Sequence, residues 1–83
     1  MSFGDQLSAL EAALLAAHDR DDHMALVSLY RDAGALKELA GDIDAACFYY
    51  THAYVFALET GDPASADLLG KLVQYGRDAF PSN

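Results

Sequence analysis

The chain has a single cysteine, Cys47, among 83 residues. That excludes an internal disulfide and a thiolate metal cage, and it fits a reducing compartment, so the expected location is the cytoplasm. Basic residues are scarce too: Arg20, Arg31, Lys37, Lys71 and Arg77 stand against 13 acidic residues, form no cluster, and leave a net charge of -8. Such a surface repels phosphate backbones and anionic lipid heads, so neither nucleic acid nor a membrane surface is an expected partner. A basic protein surface remains compatible. No apolar run approaches the roughly 18 residues of a membrane span, and the start, Met1-Ser2-Phe3-Gly4-Asp5, has neither the basic residues nor the apolar core of a secretory signal. A glycine-rich phosphate loop and a paired-carboxylate motif are missing as well.

What is present is globular: 53% of the residues are hydrophobic and 22% charged, enough apolar area for one domain over residues 1–83 but too short a chain for two. Four segments carry helical periodicity. In the first, Phe3, Leu7, Leu10, Leu14 and Ala17 recur at steps of three and four. The polar stretch from His18 to Asp22 follows, where Asp21 or Asp22 is placed to cap a second helix carrying Leu26, Leu29, Tyr30, Ala33, Leu36 and Ala40. Gly41 stops that helix and Asp42 caps the third, whose stripe is Ile43, Ala46, Cys47, Tyr50, Ala53, Tyr54 and Ala57. Gly61-Asp62-Pro63 closes the third and opens the fourth, with each residue type where its backbone chemistry helps. The fourth is expected to bury Leu68, Leu69, Leu72, Tyr75 and Ala79 and to end at Pro81. Short connections make successive helices antiparallel.

The second and third segments carry more than periodicity. Tyr30, Ala33, Gly34 and Lys37, followed by Gly41, Ala46, Tyr50 and Ala53, place small residues where two helices of a hairpin must approach and large ones on either side. This spacing resembles the tetratricopeptide repeat, with Lys37 in place of the usual aromatic and the proline late. Leu69-Gly70-x2-Val73 echoes Ala33-Gly34-x2-Lys37 about one repeat later, so on this resemblance the last helix is expected to be the first half of a second, truncated repeat and the first helix a flanking cap or the remnant of a preceding one. A plain four-helix bundle would satisfy the same periodicity. The resemblance implies an all-α, non-catalytic protein-binding adaptor or assembly scaffold. It also implies a groove that shows Ser28, Arg31, Ala35, Glu38, Asp67, Lys71 and Gln74. Ala35 lacks the polar group that the family's clamp for peptide C-termini needs there.

The third segment has a second stripe, Ala45, Phe48, Tyr49, His52 and Phe56, and no formal charge from Ala45 to Leu58. A helix apolar all round is central in its fold or docked on a partner. Aromatic anchors favour an interface, with a homodimer as the simplest case. The expected partner-binding residues are therefore Phe48, Tyr49, His52 and Phe56, together with Arg31, Glu38, Lys71 and Gln74 in the groove.

Other chemistry has less support. His18, Asp22 and His23 are ligand types, and a metal-binding or metal-responsive protein using this turn is the alternative. Histidines five positions apart do not share a helix face, however, and the aspartates serve as caps. No metal or cofactor is expected. Cys47 lies on the packing stripe, and no nucleophile is identifiable for His52. No enzyme activity is expected.

Overall fold

The computed structural model describes residues 3–77, without the side chain of Phe3. They form four helices, α1 (Phe3–Asp19), α2 (His23–Leu39), α3 (Ile43–Thr60) and α4 (Ala64–Gln74). No strand occurs among the described residues, so the all-α expectation holds.

One local device makes all three turns. The N–H of Asp22 donates to the carbonyl of Ala17, that of Asp42 to Lys37 and that of Asp62 to Ala57, each at 2.9 Å. Such a six-to-one bond requires the preceding residue to be left-handed, and Asp21, Gly41 and Gly61 have φ of 53°, 81° and 68°. The same aspartates then start the next helix. Asp22 and Asp42 accept from the N–H groups of Ala25 and Ala45 at 3.1 Å, and Asp62 accepts from Ala64 at 2.9 Å. Asp22, rather than Asp21, is thus the cap of α2. The end of α4 departs from expectation: the helix stops at Gln74 because Gly76, at φ 70°, turns the chain. Ala79 and Pro81 lie outside the described residues.

Extensive packing joins only helices adjacent in sequence, α1 on α2, α2 on α3 and α3 on α4. The result is an open stack rather than a closed bundle, in which the first and last helices would also pack together. Tyr30 lies by Phe56 and Glu38 by Tyr50, so α2 and α3 run antiparallel. Between α2, α3 and α4 the core consists of Val27, Ala46, Cys47, Tyr50, Ala53, Ala57, Leu68 and Leu72. A smaller cluster of Leu14, Ala17 and Leu26 joins α1 to α2. Some side chains differ from the expected stripes. Val27 is buried, Leu69 and Tyr75 are only half-buried, and Ala40 is exposed because it already lies in the turn.

The approach of α2 to α3 depends on Gly34. A Cβ there would stand 2.6 Å from Cε1 and 2.7 Å from Cδ1 of Tyr50, and that ring is only 2% exposed. At Gly70, the sequence echo of Gly34, a Cβ would meet nothing within 4 Å, since Gly70 lies on an exposed face of α4. Gly34→Ala is therefore expected to lower stability by about 1–3 kcal/mol through overpacking, even against the ~1 kcal/mol that alanine gains in helix propensity. Gly70→Ala is expected to raise it by up to ~1 kcal/mol. Denaturant titration of the two variants would show the opposite signs. The same measurement on Asp21→Gly should show a gain of roughly 1 kcal/mol, because glycine relieves the left-handed strain without removing a cap.

Candidate functional site

Helical spacing divides α3 into an inner face of Ala46, Cys47, Tyr50, Ala53 and Ala57, all buried, and a second, aromatic face. Tyr30 of α2 decides how that second face is divided. Its ring stacks on Phe56 (centroids 6.0 Å apart, 10° between planes) and on His52 (5.1 Å, 30°), and lies 6.2 Å from Tyr49. Tyr49, His52 and Phe56 are consequently half-buried. Phe48, on the far side of His52 at 4.5 Å, is 59% exposed, and Val55, one turn beyond Thr51, is 46% exposed. The open line of α3 is therefore Phe48, Thr51, His52 and Val55. It is rotated away from the stripe of Ala45, Phe48, Tyr49, His52 and Phe56 because Tyr30 fills the flank.

The aromatic face is covered at one end and exposed at the other. At the Phe56 end, His18 from the last turn of α1 and His23 from the first turn of α2 bring their rings to 6.0 and 5.2 Å from Phe56. His18 Nε2 also lies 2.8 Å from the Tyr30 hydroxyl. Histidines that share no face of a single helix thus converge on one ring, since the turn places them on two helices. Burial pushes the Tyr30 hydroxyl above its ordinary pKa, with a smaller contribution from nearby Tyr49. At the Phe48 end no described residue covers the Phe48 ring. Two shallow clefts flank the open line. One, of about 420 Å³, lies among Cys47, Phe48, Thr51, His52 and Arg77. The other, about 310 Å³ and mostly apolar, lies among Thr51, His52, Val55, Phe56 and Glu59.

The residues expected to line a groove are only partly gathered. Arg31, Ala35, Glu38, Asp67 and Lys71 border a cleft of about 350 Å³ between α2 and α4, with Tyr50 and Leu68 beneath. Ser28 and Gln74 are exposed and lie outside it. Lys71 is not free: its Nζ donates to both carboxylate oxygens of Glu38 at 3.1 Å. The Tyr50 hydroxyl donates to Glu38 Oε1 at 2.7 Å, and the Tyr75 hydroxyl donates to Oε2. These donors hold the Glu38 carboxyl down at about 2, the tyrosine hydroxyls contributing most. In turn, burial and the nearby carboxylate raise Tyr50, and the bond to Glu38 raises Tyr75. Sequence reasoning placed Glu38 and Lys71 in the groove but missed this network. No local signal pairs residues 33 and 37 positions apart.

No family model, curated protein or solved structure matches this chain. What the site can do is therefore read from its own groups. Cys47 is buried, and His52 Nδ1 lies 2.9 Å from the carbonyl of Phe48 in its own helix. In the His18–His23 turn the side chains serve different partners: His18 meets Tyr30, Asp22 caps α2 and pairs with Arg20, and His23 meets Glu59 at 3.5 Å. Among the described residues no three His, Cys, Asp or Glu side chains gather as metal ligands, and no helix is long and apolar enough to cross a membrane. Large apolar side chains are exposed on α3 at Phe48, Val55 and Leu58, and on the other helices at Leu15, Met24, Leu39 and Val73.

The Glu38 network carries a pH dependence. Its carboxyl titrates near 2 in the folded chain against 4.5 ordinarily. Protons therefore bind the unfolded state first as pH falls, and the stabilisation, fully present above about 4.5, is lost as pH drops toward 2. The loss expected in denaturant melts over that window is on the order of 3 kcal/mol. Glu38→Gln should be less stable at neutral pH and should lose that part of the acid dependence.

Proposed function

We infer that this chain is a non-catalytic protein-interaction module, a small adaptor or assembly scaffold of tetratricopeptide-like design. It docks another protein on the aromatic face of α3 through Phe48, Tyr49, His52 and Phe56. Arg31, Glu38, Lys71 and Gln74, on and beside the cleft of α2 and α4, supply polar selectivity. A single buried thiol and an acidic surface suit the reducing cytoplasm.

The observation that carries this reading is the exposure of Phe48 beside Val55 on a helix stretch without charge. Burying a phenylalanine side chain from water is worth roughly 1.5–3 kcal/mol, and a chain that leaves one exposed in an uncharged patch forgoes that gain until a partner covers it. The packing supports the reading from another side. An open stack of sequential helices leaves broad faces uncovered, as helical-repeat binders do.

Phe48→Asp is expected to leave the helical content unchanged, because the side chain already faces water. It should weaken capture of a protein partner from native lysate by about tenfold or more, the penalty of placing a charge in a docked apolar contact. Leu39→Asp serves as the control, since Leu39 is 84% exposed but belongs to α2, away from the α3 face. Equal capture by wild type and both variants would remove the α3 face from consideration.

A further inference from the structure

Resting on that docking face, we propose that its occupant is a basic amphipathic helix of another protein, with apolar side chains along one stripe and Lys or Arg at both ends. Phe48, Val55 and Leu58 are the large apolar side chains exposed on α3, at 59%, 46% and 57%. Steps of seven and three residues set them on one side of the helix, in a line about 15 Å long with Thr51 among them. Two shallow clefts flank that line, one beside Phe48 and Arg77 and one beside Val55 and Glu59. A ridge between grooves is the surface on which a second helix packs. An extended peptide finds no match, because no strand occurs among the described residues and its backbone is offered no sheet edge.

Charge selects the sign of the partner. No Lys or Arg occurs between Lys37 and Lys71, a stretch that holds Glu38, Asp42, Asp44, Glu59, Asp62 and Asp67. Two of these carboxylates bracket the apolar line: Asp44 and Glu59 stand about 22 Å apart along α3, with no formal charge from Ala45 to Leu58. The cations beside them leave both open to water. Arg77 reaches Oδ1 of Asp44 at 2.6 Å, yet that side chain stays 86% exposed, and His23 lies 3.5 Å from Glu59, which stays 52% exposed. A helix with a cation at each end, spaced to match, meets a carboxylate at each end and is drawn in by the net charge of -8. An acidic helix, one from a second copy of this chain included, is repelled by the same field. A single-helix contact falls at the small end of specific interfaces, so the complex is reversible and weakens with salt.

The test is selection on the immobilised full chain from a displayed library of peptides long enough to span Asp44 to Glu59, randomised without charge bias. Enriched peptides should show apolar residues at i, i+3, i+4 and i+7 with Lys or Arg near both ends, and Phe48→Asp should fail to hold them. Val55→Asp, on the same line, replaces that variant should it lose helical circular dichroism. For the best peptide, made synthetically, Glu59→Lys should weaken binding by about five- to tenfold at low salt, a difference that shrinks at high salt. The peptide should gain helical circular dichroism on binding. Phe48-dependent peptides that are neutral or acidic, or that bind without becoming helical, overturn the basic helix and leave the docking face standing. Sedimentation of the chain alone that shows a dimer dissolved by Phe48→Asp overturns it in favour of a second copy. Peptides held equally by wild type and Phe48→Asp, or no enrichment at all, remove both the basic helix and the docking face.

Discussion

Tyr50 joins three helices at once. Its ring lies over Gly34 of α2 where a Cβ could not fit, and its hydroxyl donates to Glu38, which also accepts from Lys71 and Tyr75 at the α4 end. The close approach of α2 and α3 and the docking of α4 therefore share one side chain. A ring this buried needs a partner for its hydroxyl, and Glu38 fills that need. A carboxylate near the surface is thereby tied to several donors and kept ionised well into acid.

Tyr30 does the complementary work on the other side of the same hairpin. By stacking on His52 and Phe56 it turns half of an apolar helix face into packing and leaves Phe48 and Val55 outside. The histidines at the α1–α2 turn complete the cover at one end only. An open stack cannot cover α3 on all sides, because only α2 and α4 pack extensively on it. The aromatic content of α3 thus has two consequences, a core that holds α2 and α3 together and an uncharged edge left exposed.

Much of this was legible in the residues. Helix number, the turns at Gly41 and Gly61, the cap Asp42 and the buried stripe of α3 all follow from interactions that span six residues or fewer, where propensity and hydrogen bonding act without help from the rest of the fold. The close approach at Gly34 was legible too, from the sizes of Gly34, Ala46 and Tyr50. Where Gly76 ended α4 ahead of Pro81, a nearer left-handed glycine overrode a more distant proline.

The amino-acid order alone therefore determined the all-helical class, the three matching turns and the existence of a second aromatic face on α3. Tertiary structure decided which edge of that face meets water, that His18 and His23 share Phe56, and that Glu38 takes Tyr50, Lys71 and Tyr75 as partners. Each of those depends on the rotation and tilt of one helix against another. That relation is settled by contacts among residues 12 to 37 positions apart, and the periodicity of a single helix carries no information about it.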